Sequence, residues 1–182
     1  MDLIGNLLIA PPVVKGNFWT KTVIVVTEHH VNGSMGLILN RRSQMTVNEF
    51  AQQLGFHMDV PGFLYLGGPI NVKNLSFLHS PDWRCNNTMQ INQQLCLSSA
   101  EEILPRLALG DRPKQWRMFL GVCGWSPNQL INEIKGLPPF DESVSWCLAK
   151  GNPEMIFGSD TKDQWMQVLE RSGQEFAQNI LT

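Results

Sequence analysis

At 182 residues, with 43% of them hydrophobic and 16% charged, the chain has the composition of an ordinary globular protein and enough length for one domain with a sizeable core. Sixteen acidic against fourteen basic residues leave a net charge of −2, which excludes a general attraction to nucleic acid or to an anionic membrane surface. The densest basic run is the pair Arg41-Arg42.

Leu3 to Ala10 and Thr22 to Thr27 read as strands, with a loop over Pro11 to Asn17. Val23-Ile24-Val25-Val26 is a continuous β-branched run, the pattern of a strand buried on both faces. His29 to Ser34 is polar and contains Gly33, which predicts a turn. Met35 to Leu39 then resumes the strand pattern, so the pair forms an antiparallel hairpin or short meander. Thr46-Val47-Asn48-Glu49 is a capping box, and Phe50, Ala51 and Leu54 supply a helical stripe that Gly55 ends. Phe63 to Leu66 and Leu75 to His79 are short strands, the first stopped by Gly67-Gly68-Pro69. Ser98 or Ser99, followed by Glu101 and Glu102, starts a second helix that ends near Gly110; Pro105 inside it should kink or shorten it.

Trp116 to Val122 is apolar, aromatic or β-branched apart from Arg117 and the glycine near its end, and predicts a central strand interior to the sheet. A third helix follows from Ser126 to Lys135. Ser126 is its expected cap, Pro127 fits the first helical position, Gln129 reaches back to the cap, and Gly136 stops it. Asp160 to Arg171 predicts a fourth helix, capped by Asp160 and ended by Gly173. Strands and helices mix without strict βαβ alternation, which favours an α+β fold with a mixed sheet over a doubly wound one.

The residues restrict the chemistry more than they define it. No phosphate-cradling G-x-x-x-x-G-K-[ST] is present, and no G-x-G-x-x-G follows a strand. In Gly33-Ser34-Met35-Gly36 glycine sits directly before the serine and a strand follows, so it is a turn and not a nucleophile elbow. Glu28-His29-His30 has metal-ligand chemistry, but adjacent histidines on a strand point to opposite sides, and a site would need His79 or Cys123 brought in by the fold. No pair of carboxylates stands out, and Glu133 reads as a solvated or salt-bridged helix residue. The four cysteines, Cys85, Cys96, Cys123 and Cys147, form no C-x-x-C pair and match no zinc module, so free, buried thiols are expected. Cys123 lies beside a helix start, where an exposed thiol would have its pKa lowered; a packed strand residue is the preferred reading. No cofactor or metal is expected.

The first basic residue is Lys15, so the amino end does not read as a secretory leader, and Leu7 to Ala10, cut by Pro11-Pro12, is too short to span a bilayer. The expected compartment is the cytoplasm. Trp125 and Gln129, four apart across a helix start, can share a face, and Asn40 can hold a left-handed turn at a strand end. Three glycine-rich turns, Gly33 to Gly36, Gly67-Gly68-Pro69 and Gly121 to Trp125, each end or begin a strand. Either these glycines serve only turns and strand crossings, or the turns gather on one side. In the second case Trp125 and Gln129 would face outward beside His30 or Asn40.

Several stretches together resemble the YqgE/AlgH family of bacterial proteins. They are Gly5-x-Leu7-Leu8-Ile9-Ala10, Phe18 with Thr22-Val23, and His30-x-x-Gly33-x-x-Gly36-Leu37-Ile38-Leu39-Asn40. Gly67-Gly68-Pro69, Leu78-His79-Ser80, Gly121-x-x-Gly124-Trp125-x-x-x-Gln129-Leu130-x-x-Glu133 and Trp146 complete the pattern, in order along nearly the whole chain. The resemblance implies a single compact α+β domain from residue 1 to 182, with a strongly curved, partly barrel-like mixed sheet and helices outside it. It also implies a bacterial cytosolic protein, and it implies no established activity: members go by uncharacterised protein or transcriptional regulator. Two positions depart from the family pattern. Arg42 stands where proline is common, and Val122-Cys123 replaces an aromatic-alanine pair.

The expectation is therefore a non-enzymatic regulatory or binding protein acting through a protein or small-molecule partner, with His30, Asn40, Gly67, Gly68, Pro69, Trp125 and Gln129 as its surface. An enzyme with a site near His30, His79, Cys123 and Trp125 is the alternative. A direct DNA-binding regulator ranks third, because the net charge is negative and no helix-turn-helix or basic helix is visible. Neither a membrane partner nor a particular oligomeric state is implied.

Overall fold

The computed structural model describes residues 2–139, 145–158 and 163–181. The strands are β1 (Asn6–Ile9), β2 (Val23–His30), β3 (Gly33–Ile38), β4 (Arg42–Thr46), β5 (Phe63–Leu66), β6 (Ile70–His79), β7 (Met89–Gln90), β8 (Cys96–Ser99), β9 (Trp116–Trp125) and β10 (Cys147–Lys150). The helices are α1 (Val47–Gln53), α2 (Ala100–Ala108), α3 (Gln129–Lys135), α4 (Pro153–Phe157) and α5 (Gln164–Leu181). Among the described residues the strands form one mixed sheet in the order β10-β1-β2-β3-β9-β6-β8-β7, with β5 beside β9 and β4 beside β5. The sheet curls into a half-barrel, so the fold is α+β as the sequence predicts.

β9 organises the sheet. Both β5 and β6 pair with its residues Met118 to Leu120, β5 parallel and β6 antiparallel, so they lie on opposite edges of the same strand. The chain gets from one edge to the other through Gly67-Gly68-Pro69 alone, and must pass across the face of β9. Only glycine permits that approach. A Cβ on Gly67 would meet the Gly121 carbonyl oxygen, one on Gly68 the Val122 carbonyl, and one on Gly121 the Gly68 carbonyl oxygen. Gly121 also has φ +72°, which breaks β9 in two. Beyond the break, Cys123 to Trp125 pair with β3.

The concave face is filled by Leu7, Ile9, Val23, Val25, Leu37, Leu39, Leu78 and Phe119, joined by Ile91 and Leu95 from around β7 and β8. Residues from both ends of the strand order share this cluster because the sheet curls. Met155 and Ile156 of α4 and Trp165 and Val168 of α5 close one end of it. The convex face carries two further clusters. α3 covers Ile24, Val26, Ile38, Cys123 and Trp125, and α1 and α2 cover Leu64, Phe77 and Met118.

Local rules explain most element boundaries. The capping box forms as predicted: Thr46 Oγ1 accepts from the Glu49 amide at 3.1 Å, and Glu49 Oε2 accepts from the Thr46 amide at 2.7 Å. The hairpin β2–β3 turns through Val31-Asn32 alone, tighter than the polar stretch suggests. α3 departs from expectation. It starts at Gln129 behind Asn128, which adopts φ +63° and makes no side-chain cap, so Ser126 is not the cap and Pro127 is not helical. Only half of the expected exchange exists: Gln129 Oε1 accepts from the Ser126 amide at 2.9 Å. Gly136 ends α3 in the left-handed conformation, as predicted. α2 runs through Pro105 without a break, and α5 continues past Gly173 to Leu181. The expected cap Asp160 lies outside the described residues.

Candidate functional site

The two halves of β9 present their side chains to different surroundings. Cys123 and Trp125 point into the cluster under α3, whereas Val122 packs against the concave cluster and Gly124, two residues on, shares its face. On β3, Met35 shares the concave face with Leu37, and Glu28 pairs directly with Met35. Met35, Val122, Gly124, Glu28 and His30 therefore lie on the concave face of the sheet at the end that α4 and α5 leave uncovered. Ile70, 43% exposed, lies over Gly124. Together they line an open depression of about 580 Å³, rimmed by Asn32, Ser126 and Pro127. This is the mouth of the half-barrel. Its floor is apolar, and His30 stands exposed at its edge.

The three glycine turns meet beside this mouth, backbone against backbone. A Cβ on Gly33 would fall on the Trp125 carbonyl oxygen, and a Cβ on Gly124 would displace the Ile70 side chain. The residues predicted to form a surface are distributed differently. His30 and Pro69 are exposed, but Gly67 and Gly68 are buried in the crossing. Asn40 is a clamp: its Oδ1 accepts from the Val23 amide at 3.0 Å and its Nδ2 donates to the Lys21 carbonyl at 2.7 Å. Trp125, expected to face outward, is only 6% exposed. Its indole Nε1 donates to Glu133 Oε2 at 2.9 Å, Trp146 Nε1 donates to the same oxygen at 2.8 Å, and Gln129 Nε2 donates to Oε1 at 2.9 Å. Glu133 is thus a buried carboxylate held by three N–H donors, not the solvated residue that its helix position suggests. A carboxylate accepts several such bonds, and this one ties α3 to the end of β9 and to the segment leading into β10.

The four residues of the enzymatic alternative do not converge. His79 pairs with Trp116 at the start of β9, and Trp125 ends that strand. Nine residues of strand, broken at Gly121, separate them by up to roughly 30 Å. His79 is fully buried, with Nδ1 donating to the Ser80 carbonyl at 2.8 Å and Nε2 facing Ser98 Oγ at 3.0 Å. Burial pulls its pKa below the ordinary imidazole value, only partly offset by the Ser80 carbonyl and Asp82. Cys123 is buried too, and burial pushes its thiol up to about 12, the reverse of activation by a helix start. Among the described residues no three His, Cys, Asp or Glu side chains come together as a metal-ligand set.

Sequence reasoning missed Met35, Ile70 and Val122 as site residues, and read Glu28 only as part of Glu28-His29-His30. The available signal was alternation: Cys123 and Trp125 are buried on one face, so Val122 and Gly124 belong to the other. The length of β6, which starts at Ile70 and not Leu75, was hidden by its polar middle.

Fold and site together define a class: an α+β half-barrel with one sealed end and one open mouth. The chain belongs to the AlgH-like family, whose pattern it matches over residues 7–177. It is 34% identical to a UPF0301 protein of Gluconobacter oxydans, covering 93% of this chain and 90% of that one. It is 33% identical to a UPF0301 protein of Methylococcus capsulatus, covering 94% and 92%. The solution structure of the AlgH protein from Pseudomonas aeruginosa superposes with a TM-score of 0.75 at 26% identity, covering 94% of this chain and 89% of that one. None of these names states an activity. No helix among the described residues is long and apolar enough to cross a membrane.

Proposed function

We propose that the chain is a non-enzymatic regulatory or binding protein of the cytoplasm, and that its contact surface is the mouth of the half-barrel, with Met35, Ile70 and Val122 as the apolar floor and Glu28 and His30 as polar edges. The observation that carries this reading is the contrast in cover. Among the described residues, Met155, Ile156, Trp165 and Val168 of α4 and α5 pack into the concave cluster, while Ile70 and Gly124 stay exposed over an apolar floor. Ligand sites favour the mouths of barrel-like sheets. The glycine crossing holds the floor rigid, which lowers the ordering cost of binding. The enzymatic alternative lacks support, because His79 and Cys123 are buried at different places along β9 and neither opens onto the exposed His30.

The test is comparative capture from a bacterial lysate, with the unmodified chain, Ile70→Glu and Leu109→Glu as baits. A partner retained by the unmodified chain and by Leu109→Glu but lost with Ile70→Glu supports the proposal. Identical profiles for all three contradict it. Direct DNA binding is not part of this reading, since the chain carries a net charge of −2. An anisotropy titration at physiological salt that gave a submicromolar, sequence-selective complex would reverse that exclusion.

A further inference from the structure

We propose that Arg41 anchors a second site, separate from the mouth, that takes the carboxylate or phosphate group of a small acidic molecule. Arg41 lies past the end of β3 near Cys123 and against Phe18, on the convex side of the sheet, whereas Met35 and Val122 line the concave side. Its guanidinium is pinned in place. The group lies over the Phe18 ring at 3.9 Å from the centroid, and Nη2 donates to Thr22 Oγ1 at 3.1 Å. The backbone beneath is fixed on both sides. Asn40 clamps the strand before it, and the Arg41 carbonyl accepts from the Leu66 amide at 2.8 Å.

A guanidinium presents five N–H donors in a rigid fork that matches carboxylate and phosphate oxygens, and among the described residues only one of the five is engaged. The side chain is half-buried, yet no described carboxylate reaches ion-pair distance. Burial accordingly lowers the guanidinium pKa. The titratable neighbour that acts on it is Cys123, whose own thiol stays neutral at physiological pH and supplies no counter-charge. Lys21 and Arg42 flank the corner, capping Trp165 and Phe63, and neither has an ion-pair partner among the described residues. A partly desolvated, pre-oriented cation with unused donors favours an incoming oxyanion, because the ordering and much of the dehydration precede binding. Phe18, 45% exposed, leaves the ligand's remainder an aromatic edge to pack on.

Two-dimensional NMR of the full chain tests this at constant ionic strength, with inorganic phosphate and acetate as separate probes and chloride as the control. The expected result is a saturable shift of the Arg41 side-chain Nε–H and of the Thr22 and Phe18 resonances with phosphate, acetate or both. Which of the two saturates first names the headgroup. The shift should disappear in Arg41→Gln, weaken at least about tenfold in Arg41→Lys, which keeps the charge without the fork, and persist in Arg42→Gln. Should Arg41→Gln not fold, as judged by its spectral dispersion, Arg41→Lys alone decides. The proposal is overturned if chloride produces the same shifts, if neither anion saturates, or if the shifts survive unchanged in Arg41→Lys.

Discussion

The two ends of β9 are built from similar materials and finish in opposite states. At the Trp116 end, Phe77 stacks on Trp116 with centroids 5.2 Å apart, Trp83 stands edge-on to His79 at 5.2 Å, and α2 lies over the cluster. Histidine there is structural, with both ring nitrogens bonded. At the Trp125 end the convex side is just as sealed, through the Glu133 cage, but the concave side has glycine at 124 and, among the described residues, no helix above it. His30 consequently remains at a rim. Histidine beside tryptophan is therefore not a signal by itself; what decides its role is whether a helix lands on that face.

The sharpest way to break this contrast is to attack the crossing that positions both ends. Gly68→Ala forces a Cβ onto the Val122 carbonyl, where backbone on both sides leaves no room to relax, and should cost about 3 kcal/mol or more in a urea titration. A loss below about 0.5 kcal/mol would mean that the strands separate freely, and the rigid floor would be lost as an idea. The cage comes next. Glu133→Ala leaves two indole N–H groups and the Gln129 amide without their acceptor in a buried setting, an expected loss of about 2–4 kcal/mol. If Trp125 then becomes solvent-exposed by fluorescence emission, the cage is what keeps it from the surface. Thr46→Ala, at the capping box, should cost about 1 kcal/mol, measured in the same way.

The smallest expected effect lies in the pH dependence of stability, through His79. The folded-state pKa of His79 lies below the ordinary 6.5, so the unfolded chain takes up the proton first. Stability is then full above that value and declines as pH falls from it toward the folded-state pKa. His79→Gln should flatten the decline of stability as pH falls below about 6.5. Equal slopes in the unmodified chain and His79→Gln would show that His79 is not held neutral by burial.

Much of the fold was legible in the sequence. The β-branched run Val23–Val26, the capping box at Thr46 and the stop at Gly136 are local signals, and each element formed where they placed it. What failed was context. Ser126-Pro127 has helix-start chemistry, yet Asn128 adopts a left-handed turn and delays α3. β4, with the sequence Arg42 to Thr46, is polar and exists because β5 offers it an edge. β10 pairs with β1 across a long chain separation that no local pattern reveals. The same limit governs the site. Asn40, Gly67, Gly68, Trp125 and Gln129 stood out as residue types, but the fold uses them as clamps, crossings and cage walls. The mouth is lined instead by ordinary residues such as Met35 and Val122, whose importance lies in what fails to cover them.

Photo-crosslinking in cells tests whether contacts are made at the open end and not at the sealed one, with a benzophenone side chain installed at Ile70 in one variant and at Leu109 in another. Leu109 follows α2 beside the sealed end and is the more exposed of the two, at 85% against 43%. The expected result is a discrete covalent adduct from position 70, visible by intact mass and lost when Met35→Glu is added, and none from position 109. Adducts of equal yield from both positions, or a discrete adduct from 109 alone, would contradict it.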